Sequence, residues 1–396
     1  MKILLVLTYY HPHVSGLTIY VKRLAASLAE RGHQVTVLTS RYDAALPAEE
    51  VIDGVHVVRA PVLFRVSKGV IMPGFPLLAW RLIREHDVVS VHLPQFEASL
   101  LSLLARLAGR PMVLTYHCDL QLPHGWFNRV VDGVVFVSNY VAGRLAQAIV
   151  AYTQDFAQHS PFLSRFLDKV QVIPPPVIMP EPEPETVEAF RARHDLAGRP
   201  VVGMAARLAT EKGVEVLIGA MPRLLEAFPR LKVLFAGQYR DVMGEEAYYE
   251  RLIPLIEALG EEHWEFLGIL GQEEMPPFYA VCDVLVVPSL NSTESFGLVQ
   301  VEAMLCGTPS IASNLPGVRQ PPRMTGMGEV TPIGEAQPLA EAIIRVIKNP
   351  DSYAQPRQVI ADTFSLKRTV CSYEELFEAL ISGQAWDGEP LKASET

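Results

Sequence analysis

Two runs of alternating strand and helix signals, one on each side of a proline-dense segment, constrain this chain more than any other feature. In the first run, residues 3–8 are almost wholly apolar. Residues 18–31 then set Ile19, Leu24 and Leu28 on one helical stripe, which Gly32 ends. Residues 35–39 are apolar again. Strand–helix–strand over roughly 40 residues is a βαβ unit, and such units build parallel sheets. Further strands are expected at 88–92, 112–116, 134–138 and 170–173. Then come Pro174-Pro175-Pro176 and Pro180-Glu181-Pro182-Glu183-Pro184, which read as a stiff linker. Beyond it the alternation restarts, with strands expected at 201–205, 232–236, 264–267, 284–287 and 310–312. The reading is an α/β chain of two Rossmann-like domains, 1–178 and 179–361, facing each other across a cleft. A tail follows at 362–396, amphipathic and helical over 364–380 and frayed from Gly383.

At 396 residues the chain exceeds what one ordinary core supports, which agrees with two domains. The cysteines Cys118, Cys282, Cys306 and Cys371 lie far apart and form no C-x-x-C pair. That argues against a disulfide framework or a zinc site and for a reducing, cytoplasmic setting. The apolar start is broken by Tyr9, Tyr10, His11 and Pro12 without a small-residue cleavage site, so a buried first strand is expected. No run of about 18 apolar residues is present to span a bilayer. Net charge is −10 and uneven: up to Ile178 sixteen Lys and Arg face twelve Asp and Glu, and after it eighteen face thirty-two. Such a balance speaks against nucleic acid as a partner. The mildly basic first half is either suited to an anionic surface or simply solvated.

The strongest chemical signal lies between residues 284 and 313. An apolar strand ends at Pro288-Ser289, a polar loop carries Glu294-Ser295-Phe296-Gly297, and a helix then runs to Leu305. The amides of Ser295 to Leu298 stand at that helix's start, where unpaired N–H groups and the dipole favour phosphate. Gly297 lets a phosphate approach the backbone. Glu294 on the loop and Glu302 two turns down the helix can meet the sugar and the ribose of one ligand. A surface helix with two solvated glutamates would carry the same letters.

Arg207 and Lys212 follow the first strand of the second run, and ligands of open α/β sheets bind at strand carboxyl ends. A guanidinium fork and an ammonium there can neutralise a leaving diphosphate. In the first βα loop Gly16 offers close backbone approach, but no G-x-G-x-x-G is present and the dinucleotide fingerprint is absent. At another strand end, 114–119, His117 can bond a sugar hydroxyl and Asp119 can meet the acceptor; a structural histidine is the competing reading. No D-x-D pair occurs, so no metal site is assigned.

Together these elements resemble the family-four retaining glycosyltransferases, which have the GT-B fold, over nearly the whole chain. The most specific part is the E-x7-E pair, Glu294 and Glu302, within PSLNSTESFGLVQVEAMLCGTPSIAS. ARLATEKGV matches the family's Arg and Lys, so the resemblance assigns Arg207 and Lys212 to the donor diphosphate. It assigns Glu294 to sugar hydroxyls, Glu302 to the ribose, and the backbone near Ser295, Phe296, Gly297 and Leu298 to the diphosphate or sugar. His117 matches the histidine that meets the transferred sugar. The loop with Ile269 and Leu270 resembles the one whose backbone meets the base. An N-terminal acceptor domain, a C-terminal nucleotide-sugar domain and a last helix crossing back to the first domain are also implied. In two places the chain departs from the pattern: Ser15 replaces the first of two paired glycines, and Gln320 stands where an acidic residue is common.

The implied reaction moves a sugar, with retention, from a UDP- or GDP-type nucleotide sugar to a hydroxyl of a glycan or lipid-linked acceptor. No cofactor or metal is expected. Front-face attack, with the leaving phosphate oxygen taking the acceptor's proton, is the implied route; Glu294 as a nucleophile is the other. The alternative readings are a nucleotide-sugar epimerase and a non-catalytic donor-binding partner subunit. Finally, residues 62–81 mix large apolar side chains with Arg65, Lys68 and Arg81, and Arg84 follows. Patches of this kind lie on anionic bilayers, so a peripheral position at the inner face of the membrane is a further expectation. The competing one packs 70–78 as ordinary core.

Overall fold

The computed structural model describes residues 1–66, 69–119, 126–384 and 386; Lys68 and most of the tail expected to fray after Gly383 lie outside the described residues. The chain divides into two compact units, one of Met1–Pro176 with the chain from Leu366, the other of Val177–Ser365.

The first unit contains β1 (Lys2–Val6), α1 (Gly16–Glu30), β2 (Gln34–Arg41), β3 (Glu49–Ile52), β4 (Val55–Pro61), β5 (Phe64–Val66), β6 (Gly69–Ile71), α2 (Phe75–Glu85), β7 (Val88–Leu93), α3 (Ala98–Leu107), β8 (Met112–Tyr116), α4 (Trp126–Leu145), β9 (Ala148–Ala151), α5 (Gln154–His159) and β10 (Val170–Val172). Its main sheet runs β10-β9-β8-β7-β1-β2-β4-β3, and only β3 pairs antiparallel. Ile3, Leu4, Leu5 and Val6 of β1 are all fully buried, as befits a parallel strand covered on both faces.

Two expectations are corrected here. The strand expected at 134–138 lies inside α4. Val134, Phe136 and Val137 are exposed, while Val135, Asn139 and Ala142 are buried at helical spacing. A short apolar run does not distinguish a strand from a helix face. The strand itself comes later, as β9. The 62–81 stretch, in turn, is not one patch. Val70, Met72, Phe75 and Ala79 join the core, whereas Leu63, Phe64 and Leu77 are exposed.

The second unit contains α6 (Pro184–Arg193), β11 (Val201–Ala205), α7 (Val214–Ala227), β12 (Lys232–Ala236), α8 (Glu246–Glu257), β13 (Trp264–Gly268), α9 (Met275–Val281), β14 (Val284–Val287), α10 (Leu298–Leu305), β15 (Ser310–Ser313), α11 (Gln320–Thr325), β16 (Gly328–Thr331), α12 (Ala336–Lys348) and α13 (Arg357–Thr363). Its sheet is wholly parallel in the order β13-β12-β11-β14-β15-β16, so the chain reverses its winding between β11 and β14.

The last helix, α14 (Leu366–Ser382), belongs to the first unit. Its Tyr373 hydroxyl lies 2.7 Å from that of Tyr20 and 2.9 Å from Thr115 Oγ1. Glu374 accepts from Arg31 Nε at 2.6 Å and meets His33 Nε2 at 2.7 Å. Among the described residues no helix is long and apolar enough to cross a membrane.

Candidate functional site

Open α/β sheets bind ligands outside the strand carboxyl ends where the winding reverses. In the second unit, two loops meet at that point. From β11 the chain passes Arg207 and makes a short 3-10 turn, Thr210–Lys212, ended by Gly213 at φ 67°. A Cβ at Gly213 would run into the carbonyl of Pro288, so only glycine lets this turn lie against the loop after β14. Leu290 N–H donates to the Glu211 carbonyl at 2.9 Å and joins the two loops. Glu245 holds the turn from below, accepting from Thr210 N–H at 3.0 Å and its hydroxyl at 2.7 Å.

The result is a contact between residues 82 positions apart: Lys212 Nζ lies 2.5 Å from Glu294 Oε2. Their side chains are 21% and 19% exposed. Arg207 is more open, at 48%, and pairs with Glu211 at 3.2 Å. Lys212 and Glu294 line a small pocket with Ala206, Val287, Ser289 and Val299. The Ser289 hydroxyl is buried there with no hydrogen-bond partner.

The start of α10 is fixed from inside. Gly297 precedes the helix at φ 76° and supplies no side-chain cap to the first-turn amides, which are the groups an anion would meet. Gln300 is fully buried; its Nε2 donates to the carbonyls of Phe296 and Val318, both at 2.9 Å, and its Oε1 accepts from Ser310 at 2.9 Å. Phe296 packs edge-on against Phe364 with centroids 5.6 Å apart. Ser295 is buried, so the turn 295–297 is held from several sides. Leu298 opens the helix. Glu302 is also buried and accepts from the Tyr279 hydroxyl at 3.0 Å. Burial and that carboxylate push Tyr279 well above its ordinary pKa.

Beyond β13, Ile269 is exposed and Leu270 half-buried. The ends of β11, β12 and β13 are tied by Ala206 N–H to the Ala236 carbonyl, 2.9 Å, and Gly237 N–H to the Gly268 carbonyl, 2.7 Å.

In the first unit, the sequence-derived residues are placed differently. His117, one residue past β8, turns inward and is 5% exposed. Its Nε2 lies 2.9 Å from Nδ1 of the fully buried His92, and its Nδ1 meets the Tyr152 hydroxyl. Tyr20 stands edge-on to His117 at 4.9 Å and stacks on Tyr152 at 5.4 Å. Burial pushes His92 down to about 3 and, with His92 beside it, His117 well below the usual histidine range. Both rings are therefore neutral at neutral pH. Asp119, expected to face the acceptor, is buried: Oδ1 accepts from Tyr116 at 2.9 Å and Ser160 at 2.6 Å, while Oδ2 is buried without a partner. The cause of both departures is tertiary. Hydroxyls from Tyr152 and Ser160, on either side of α5, close over this strand end. Gly16 opens α1 and has nothing within 4 Å of where a Cβ would stand. The departure at Ser15 has a physical reason: Ser15 Oγ accepts from Thr18 N–H at 3.2 Å and caps α1, which glycine cannot do. Gln320 is the first residue of α11.

Sequence reasoning missed His92, Tyr152, Glu245, Ser289 and Gln300. Two left a signal. His92 interrupts an apolar strand, VVSVHL, and Gln300 interrupts an apolar helix, LVQVEAML. Among the described residues no group of three or more His, Cys, Asp or Glu could hold a metal ion.

Residues 14–178 match the family described as Glycosyltransferase Family 4, and 186–361 the one described as Glycosyl transferases group 1. The chain is 31% identical over 344 residues to 2-deoxystreptamine N-acetyl-D-glucosaminyltransferase of Streptomyces fradiae, covering 81% of this chain and 78% of that protein. It is 27% identical over 376 residues to phosphatidyl-myo-inositol mannosyltransferase of Mycobacterium leprae, covering 93% and 92%. HepE of Anabaena, solved in complex with UDP and glucose, has the same fold: TM-score 0.77, 21% identity, 96% of this chain and 100% of that one. This chain belongs to the family-four glycosyltransferases, with two parallel-sheet domains of the GT-B kind. It is an enzyme that moves a sugar from a nucleotide sugar to an acceptor, a hexosyltransferase.

Proposed function

We propose that the donor's diphosphate lies against Arg207, Lys212 and the first-turn amides of α10. Glu294 then takes sugar hydroxyls, Glu302, oriented by Tyr279, takes the ribose, and the backbone at Ile269 and Leu270 meets the base. The observation that carries this reading is the contact of Lys212 with Glu294 at the β11–β14 switch point. Without ligand the two neutralise each other. A nucleotide sugar offers each another partner, phosphate for the ammonium and hydroxyls for the carboxylate. The unpartnered Ser289 hydroxyl in the same pocket adds a donor and acceptor. From the first unit we assign Gly16, where open space admits a phosphate, and His117, a neutral ring held in one orientation; Asp119, buried with Tyr116 and Ser160 on its Oδ1, braces the strand end beside His117.

Transfer proceeds with retention by front-face attack. The acceptor oxygen bonds to the anomeric carbon as the bond to the diphosphate oxygen breaks, and the acceptor's proton passes to that leaving oxygen. Negative charge grows there, and Arg207, Lys212 and the helix start stabilise it without a metal ion. The donor is a UDP- or GDP-sugar. The acceptor is a glycan or lipid-linked carrier met at the inner face of the membrane, in line with the relative named for phosphatidyl-myo-inositol.

Incubation with UDP-glucose, UDP-N-acetylglucosamine and GDP-mannose, followed by NMR, tests this. Slow release of one sugar in its donor configuration, with the nucleoside diphosphate, is expected. Isomerised donor without cleavage would point to an epimerase, and binding without turnover to a donor-binding subunit.

A further inference from the structure

Helix α4 carries an apolar stripe on its outer side. Trp126, Val130, Val134, Val137 and Val141 are between 38% and 79% exposed. Their spacing of three or four residues puts them on one helix face. The other face, with Val135 and Ala142, is buried, and α4 packs beside α3, which packs beside α2. On those two helices Leu77, Leu103 and Leu107 are exposed as well. Exposed apolar area aligned along one helix face marks a binding face.

The charge on these three helices is predominantly positive. Arg129 and Arg144 sit towards the two ends of α4, Arg106 lies on α3, and Arg81 and Arg84 lie on α2, all exposed. Against these five arginines, the three helices carry only two carboxylates, exposed Glu85 and half-buried Asp132.

We propose that this face of the first unit docks on an anionic lipid bilayer. The stripe enters the boundary between headgroups and acyl chains, and the arginines meet lipid phosphates. Charge decides against a second copy of the chain, which would set the same arginines against each other. The proposal rests on the reading that the acceptor is lipid-borne. Trp126 follows Asp119 by seven residues, so docking keeps that strand end within about 25 Å of the headgroups. The docking element is thus α4 with its neighbours, to which the 62–81 stretch adds only the exposed residues of α2, since Val70, Met72, Phe75 and Ala79 are core.

Co-sedimentation with phosphatidylcholine vesicles, with and without roughly a third of phosphatidylglycerol, tests it at low and high salt. The wild-type enzyme should pellet with the anionic vesicles at low salt and stay in the supernatant with neutral ones. Arg129→Gln with Arg144→Gln should weaken partitioning by about 30-fold. Val134→Asp with Val137→Asp should abolish it. Both double variants should keep donor hydrolysis and the wild-type melting temperature; if the aspartate pair fails to fold, the glutamine pair still decides. A wild-type enzyme that hydrolyses donor but ignores anionic vesicles would overturn the docking and leave glycosyl transfer standing. A wild-type dimer that the aspartate pair turns into monomers without lipid would overturn it too. Vesicle binding without donor hydrolysis would keep the docking and sink the catalytic reading instead.

Discussion

At the carboxyl ends of β11 and β14 the second unit keeps its charges partly in water, paired with one another. At the carboxyl ends of β7 and β8 the first unit keeps its paired histidines neutral and its polar groups sealed. Lys212, Arg207 and Glu294 retain solvent access, whereas His92, His117 and Asp119 are buried among hydroxyls and rings. The same architecture therefore carries opposite electrostatics. A site for a diphosphate needs ions that can change partner, and each cation here holds a carboxylate that phosphate can displace. A site for an uncharged group needs fixed donors and acceptors. His92 provides that for His117: its Nε2 is buried without a partner, and a bare lone pair is the cheaper atom to bury. That puts the His92 proton on Nδ1, donating to His117 Nε2, and leaves His117 Nδ1–H to donate to Tyr152.

The contrast breaks most visibly at the cations. Lys212→Ala and Arg207→Ala should each lower turnover by about tenfold or more in steady-state assays, with unchanged folding. Lys212, the less exposed, should lose more. A smaller effect is expected at Gln300→Ala, which strands two carbonyls and a hydroxyl in the core. Calorimetry should show the second unit destabilised by about 1–3 kcal/mol, with a raised KM for the donor.

The first unit should answer to pH instead. Its buried pair His92 and His117 has folded pKa values below the ordinary 6.5, so protons bind the unfolded chain better. Stability is full above about pH 6.5 and is lost as pH falls towards the folded values, by about 2 kcal/mol at pH 5 for His92, with His117 adding a loss of the same sign. Melting curves at pH 7 and pH 5 check this, and an unchanged first unit at pH 5 would contradict the sealed network. The smallest effect belongs to chelation: excess EDTA should leave turnover unaltered, because cationic side chains and a helix start hold the diphosphate. Loss restored by magnesium or manganese would count against that.

What the sequence made legible follows the same divide. Buried parallel strands are runs of apolar letters, so most of both sheets could be read directly. Lys212 and Glu294 could be read because each lies just beyond such a strand. The surroundings of His117 and Asp119 could not. Their partners His92, Tyr152 and Ser160 stand 25, 35 and 41 residues away, and only tertiary packing brings them in. The run at 134–138 misled because α4 turns Val134 and Val137 outward, and the apolar letters that suggested a buried strand belong to an exposed face.

The central claim is that the β11–β14 switch point of the second unit holds the donor's diphosphate, and titration calorimetry with UDP and GDP tests it most directly. At least one nucleotide should bind the wild-type enzyme, Lys212→Ala should weaken that binding by about tenfold or more, and His117→Ala should leave it unchanged. Equal affinity of the wild-type enzyme and Lys212→Ala for the nucleotide would contradict the account.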